Sequence, residues 1–302
     1  MKKLVQSYIS FLLLLSSFNY GQNIDSLRQK LYEIVKSKNA IVGIAIQGYD
    51  EKDTLSINGV LKFPLQSVFK FHIALAVLKE VDEGKLGLNE NIEITREDLN
   101  SDLYSPIHDK YPTGVNMKLS EIIRYTVAES DNIGCDLLLK IIGGPEIVEK
   151  YLHENNIKDI AIKYDEKTQQ SKWANQYENW TTPKSANLAL LNFYQNQNGL
   201  LSKDSYNFLW ETMKSTKTGQ KSIRGELPPE TVIAHKTGHS GKNKDGMTGA
   251  VNDIGIVFIS KEKYFYLSVF VSNSKEDEER NQKIIADVAK LVWEYFVQKY
   301  AQ

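Results

Sequence analysis

The stretch Pro64-Leu65-Gln66-Ser67-Val68-Phe69-Lys70-Phe71-His72-Ile73-Ala74-Leu75-Ala76-Val77-Leu78 decides the fold. Val68, Phe69, Phe71, Ile73, Ala74, Leu75, Val77 and Leu78 leave it almost no polar side. A helix that is apolar all round is buried within protein. The pattern predicts a helix over residues 67–83, opened by Pro64 and stopped by Gly84. The middle of the chain, 61–213, reads as mainly helix around this segment. Further candidates are 119–130, 132–142, 145–154, 182–194 and 203–213.

The two ends of the chain read differently. Residues 24–36 show helical periodicity. Residues 40–49 are rich in β-branched side chains and end at the polar turn Asp50-Glu51-Lys52-Asp53, with 54–60 as the partner strand. Beyond 213, strand-like runs at 231–236, 253–260 and 264–272 precede an amphipathic helix at 284–300. The simplest assembly is an α+β fold. Residues 22–60 and 214–302 share one antiparallel sheet flanked by helices, and 61–213 are inserted as an all-helical lobe. A cleft between two such lobes is a common place for a ligand.

The chain has 302 residues, 41% of them hydrophobic, enough for a substantial core. Its formal net charge of -1 gives no basic field for nucleic acid. Lys2 and Lys3, an apolar run near 9–15, and then Ser16, Ser17 and Gly21 have the layout of a secretory signal peptide over 1–21. That apolar run is too short to span a bilayer as a helix. The expectation is a periplasmic or secreted protein, free of the membrane after cleavage. The single cysteine, Cys135, can form no internal disulfide and reads as a buried small hydrophobe. The five histidines are scattered, so no metal or other cofactor is expected.

Three short strings carry the chemistry: Ser67-Val68-Phe69-Lys70, Ser130-Asp131-Asn132 and Lys236-Thr237-Gly238. On a helix, Lys70 shares a face with Ser67 and can reach its hydroxyl. Burial disfavours an ammonium, which suits Lys70 to proton transfer. Ser67 falls in a first helical turn, where unpaired N–H groups favour developing negative charge. In the second string, Ser or Asp can cap the following helix. Ser130 can also hand a proton to a leaving nitrogen, and Asn132 can pair with a substrate amide. In the third, alternation puts Lys236 and Gly238 on one face of a strand. Lys236 supplies positive charge for a carboxylate, and Gly238 leaves room for a substrate. Together the strings provide a nucleophile, proton carriers and an anion site, the equipment for acyl transfer through a serine ester.

These strings, in this order, resemble the signature of class A serine β-lactamases and penicillin-binding proteins. The resemblance to class A covers essentially the whole mature length. Tyr104-Ser105-Pro106, Thr181-Thr182-Pro183 and Glu279-Arg280-Asn281 match further landmarks, and Asn252-Asp253-Ile254-Gly255 within 241–255 is similar to the PER- and VEB-like extended-spectrum branch. The family places a deacylating Glu in a loop before Thr-Thr-Pro. Here Glu166 fits, with Asp165 and Glu178 as rivals. The resemblance implies that Ser67, Lys70, Ser130 and Glu166 are catalytic and that the N–H groups of Ser67 and His239 form an oxyanion hole. It also implies that Tyr104, Asn132, Gln170, Lys236, Thr237, Gly238 and Ser240 bind substrate.

The Glu166 loop departs from the family pattern. Gln170 stands where Asn is usual, and Tyr164 and Asn179 stand where an Arg–Asp ion pair closes the loop. An altered loop and a wider cleft are therefore expected. The arginine that many members use for the substrate carboxylate has no obvious counterpart. Arg224 reads as structural, which leaves Lys236, Thr237 and Ser240. The expected function is hydrolysis of small-molecule β-lactams by a monomer, conferring antibiotic resistance, with cephalosporins implied by the branch. The alternatives are a D-alanyl-D-alanine peptidase and a β-lactam sensor that acylates without turnover.

Overall fold

The computed structural model describes residues 23–300, so the expected leader lies outside the described residues. Among them, no helix is long and apolar enough to cross a membrane. The chain enters through α1 (Ile24–Lys36) and the hairpin β1 (Ile41–Gly48) and β2 (Thr54–Ile57). A two-residue strand, β3 (Phe63–Pro64), and a 3-10 turn at Gln66–Val68 lead into α2 (Phe69–Asp82). Pro64 therefore does not open the helix. It pairs opposite Trp180, and Ser67 sits in the tighter turn ahead of α2.

The middle of the chain contributes β4 (Asn91–Ile94), α3 (Pro106–Lys110), β5 (Val115–Lys118), α4 (Leu119–Ala128), α5 (Asn132–Ile142) and α6 (Pro145–Glu154). After β6 (Ile160–Ala161) come α7 (Glu166–Ser171), β7 (Trp180–Thr181), α8 (Pro183–Tyr194) and α9 (Lys203–Lys214). The chain closes with β8 (Ile233–His239), β9 (Thr248–Phe258), β10 (Tyr264–Ser274) and α10 (Glu278–Tyr300).

The main sheet runs β2-β1-β10-β9-β8, antiparallel throughout, with Ala45 opposite Ser268 and Thr237 opposite Asp253. Both faces are covered, which explains why its strands are almost continuously apolar. Along β10, Phe265, Leu267, Val269 and Val271 join the core formed with α1 and α10. Tyr266 and Phe270 point the opposite way, as strand alternation requires, into the core shared with α2 and α8. Every residue of α2 from Phe69 to Leu78 is buried. This helix packs against α4, α5, α6 and α9, as its unbroken apolar surface demands.

The segment between β6 and β7 carries Glu166, and a neutral residue closes it. Asn179 is fully buried. Its Oδ1 accepts the N–H groups of Lys163 at 2.7 Å and Tyr164 at 2.9 Å. Its Nδ2 donates to Tyr164 O at 2.8 Å and Gln169 Oε1 at 3.0 Å. Its carbonyl accepts from Leu65 N at 2.8 Å, tying the loop to the turn that carries Ser67. The loop lacks the ion pair but is closed by hydrogen bonds. Asn179→Ala leaves several of these buried groups unpaired and is expected to cost about 2 kcal/mol of stability. Thermal unfolding would register this as a fall of several degrees in Tm, and an unchanged Tm would dismiss the closure role.

Candidate active site

Ser67 and Lys70 meet at the start of α2, with Lys70 Nζ 2.9 Å from Ser67 Oγ. Lys70 has no exposure to solvent. Its ammonium donates to Ser130 O at 2.8 Å and to Asn132 Oδ1, and stands 2.9 Å from Glu166 Oε1. The charge buried by this apolar helix is thus matched by an opposite charge and neutral acceptors, as a stable interior requires. Ser67 Oγ also donates to Glu166 Oε1 at 3.3 Å. Residues far apart in sequence converge on one hydroxyl.

Glu166 is the first residue of α7 and is 1% exposed. Its rival Asp165 caps that helix, accepting from Thr168 N at 2.7 Å. Glu178 is the residue that follows the 3-10 turn Trp173–Tyr177. Glu166 Oε2 accepts from Gln170 Nε2 at 2.8 Å and Gln169 Nε2 at 3.3 Å. Gln170 therefore touches the candidate base as well as lining the cleft. Asp136, on α5, accepts from the N–H groups of Glu166 at 2.7 Å and Lys167 at 3.1 Å. Burial pushes its carboxyl up to about 7, with Asp165 and Glu166 adding to the effect. The one cue to Asp136 in the sequence was a charged residue inside the apolar run around Cys135.

Ser130 has a left-handed backbone, φ 61°, uncommon for a residue with a side chain. Lysines hold it from two sides, since Lys70 bonds its carbonyl and Lys236 Nζ donates to its Oγ at 3.0 Å. Asp131 is the cap of α5, accepting from Gly134 N at 2.8 Å. It also accepts from Ser105 Oγ and Ile107 N, which fastens the Tyr104 turn to the second motif. Burial raises the pKa of Asp131. Asn132 N donates to Tyr104 O at 3.1 Å, and the Tyr104 ring stands at the rim, 58% exposed. Lys236 is fully buried, and burial followed by the nearby charge of Lys70 lowers its pKa to about 7.

The strand β8 forms one edge of the sheet. Ser240 N donates to Ala250 O and Phe258 N to Val232 O, so even-numbered residues bond to β9. Alternation then directs the peptide N–H of His239 toward the open edge, where the cleft lies. The His239 ring is exposed at the cleft, and burial of part of it lowers its pKa. Gly238 lines the cleft, and its missing side chain also matters for packing. A Cβ there would lie 2.6 Å from Leu65 O, so glycine lets the Ser67 turn press against β8. The hydroxyl of Ser240 is already engaged. It accepts from Ala250 N at 2.9 Å and donates to Gly241 O at 3.1 Å.

The cleft encloses about 630 Å³ and is lined by Ser67, Ser130, Asn132, Glu166, Thr237 and His239 among others. Beyond this group, Gln66, Gln176 and Trp173 line it and had not been singled out in the sequence. Gln66 precedes Ser67 with φ 46°, and its amide donates to Gln176 Oε1 at 3.0 Å. No group of three or more His, Cys, Asp or Glu among the described residues is arranged to hold a metal ion.

A profile of the beta-lactamase enzyme family matches residues 26–296. The chain is 48% identical to beta-lactamase VEB-1 of Pseudomonas aeruginosa, over 91% of this chain and 92% of that protein. It is 38% identical to the extended-spectrum beta-lactamase PER-1 of Pseudomonas aeruginosa, over 94% and 92% respectively. The crystal structure of a beta-lactamase from Chitinophaga pinensis superposes with a TM-score of 0.86 at 42% identity, covering 89% of this chain and 98% of that one. With the α+β fold and the three motifs joined in one cleft, the chain belongs to the beta-lactamase enzyme family, among its class A serine enzymes.

Proposed function

We propose that this enzyme opens the β-lactam ring of penicillins and cephalosporins through an ester on Ser67 and so confers antibiotic resistance. The observation that carries the residue roles is the position of Glu166, within hydrogen-bond reach of Ser67 Oγ and paired with Lys70. Ser67 attacks the strained carbonyl. Glu166 takes its proton directly or through a water, and Lys70 can take it only after giving up one of its own protons, for which Glu166 is the adjacent acceptor. The tetrahedral oxyanion is held by the N–H groups of Ser67 and His239, each such donor being worth roughly 3 kcal/mol in a transition state. Ser130 passes a proton to the leaving nitrogen, and the adjacent Lys236 ammonium favours that transfer while drawing in the substrate carboxylate. Asn132 receives the amide side chain. Glu166 then activates the water that releases the acid. A peptidase or a sensor has no need of this last step, and the buried, fully partnered Glu166 favours turnover over both. The order of basic, apolar and small residues from Lys2 to Gly21 supports export to the periplasm.

Sustained nitrocefin hydrolysis by the purified protein is the first expectation; a single burst would favour the peptidase or the sensor. Ser67→Ala should form no covalent adduct. Glu166→Gln should slow deacylation by roughly 100-fold or more, so that intact-mass measurement finds the acyl-enzyme accumulating. Normal turnover by this variant would exclude Glu166 as the base.

Lys236 also gives the reaction a pH dependence. Its proton is present below about 7 and lost as pH rises through that value. For an anionic β-lactam, KM should therefore climb above neutrality. Lys236→Arg keeps its charge and should move this limb to higher pH, and a flat wild-type profile would count against the carboxylate role.

A further inference from the structure

The cleft contains no arginine. Arg224 directs its guanidinium to Thr231 O at 3.3 Å, and Arg280 pairs with Glu276 and Asp277 at the start of α10. Lys172 and Lys242 line the cleft but are exposed, one on the Glu166 segment and one beyond the end of β8. No guanidinium lines the cleft for the anion that Lys236 draws in, which gives weight to the neutral donors next to Lys236.

The segment after α9 supplies one. It is fastened along the free edge of β8: Thr216 Oγ1 donates to His235 O at 2.8 Å, and Lys217 N donates to Ala128 O at 2.9 Å. Ile223 N donates to Asp253 Oδ2 at 3.1 Å. Asp253 is itself held 3.0 Å from His235 Nδ1, both side chains being wholly buried. Between these anchors, Gly219 has φ +71°, and a Cβ on it would lie 2.4 Å from Thr237 Cγ2. The segment thus presses directly on Thr237. Thr218 and Thr237 bring their Oγ1 atoms to 2.6 Å, and both line the cleft.

Each hydroxyl has one proton to donate, and a carboxylate can only accept. When a carboxylate lies against Thr237, the Thr237 proton goes to it. The short contact with Thr218 then persists as a hydrogen bond only if Thr218 is the donor. Donation into Thr237 Oγ1 in turn polarises the Thr237 O–H toward the anion. We propose that Thr218 is a positioning residue for the substrate carboxylate, aiming the Thr237 hydroxyl in place of a guanidinium. This rests on the β-lactam hydrolase reading above. It makes discrimination in favour of anionic lactams a property of a hydroxyl relay backed by one buried lysine.

The test compares kcat and KM for nitrocefin and for a cephalosporin methyl ester in wild type, Thr218→Val and Thr218→Ser. Valine keeps the shape and removes the proton; serine keeps the proton. We expect Thr218→Val to raise KM for the acid roughly five- to tenfold with kcat within about twofold, to leave the ester unchanged, and Thr218→Ser to remain near wild type. Thr218→Ala repeats the measurement should the valine variant be insoluble. Wild-type turnover with an unaffected Thr218→Val, or with equal losses on acid and ester, overturns the relay alone. A wild type that does not turn over nitrocefin overturns both readings.

Discussion

The structure depends on one electrostatic constraint, an ammonium placed in the first turn of an apolar helix. Lys70 is shut off from bulk solvent, so the surrounding elements must provide oxygens. They come from Ser67 on the same turn, from Ser130 and Asn132 around the start of α5, and from Glu166 at the start of α7. Removing Glu166 would leave the buried ammonium without its opposite charge. The demand that compensates the lysine also assembles the chemistry, since these are the groups a serine ester mechanism needs. Stability and function draw here on the same contacts, which gives this part of the chain little freedom to vary.

Much of this was legible in the sequence because it is local. The apolar surface of α2, the alternation along β10 and the three motifs each lie within a few consecutive residues. The expectation that failed most clearly, a helix opened by Pro64, failed for a tertiary reason. Proline suits a first helical turn, but here Leu65 N bonds Asn179 O, more than a hundred residues away in sequence, and Pro64 pairs opposite Trp180. The motif shows that Gly238 leaves room beside Lys236, but not that its missing side chain also admits Leu65 O from a distant turn. Asp136 and Thr218 were not singled out. Neither belongs to a motif, and each acts on a group in a different element, Asp136 on the N–H of Glu166 and Thr218 on the hydroxyl of Thr237.

The sheet edge contributes a second kind of order. Because β9 takes the even-numbered peptide groups of β8, the odd-numbered ones are available on the cleft side. One of them, His235 O, is already bonded to Thr216, which fixes the neighbouring segment in register with Thr237. Further along, the same regularity turns His239 N–H toward the cleft. A single strand therefore carries the lysine, the hydroxyl and the peptide donor at fixed spacing, and no loop has to fold onto the site to bring them together.

The closure by Asn179 has a consequence for the conditions the cleft withstands. A carboxylate–guanidinium clasp is weakened by dissolved salt where it reaches solvent and is undone in acid. A primary amide carries no formal charge and does not titrate, so brine and mild acidity act on it only weakly. Beside it, burial pushes the carboxyl of Asp136 up to about 7, and this group holds the N–H groups of Glu166 and Lys167. The same short stretch of chain thus carries an amide clasp that does not titrate and a carboxyl clasp that does, and both act within three residues of Glu166.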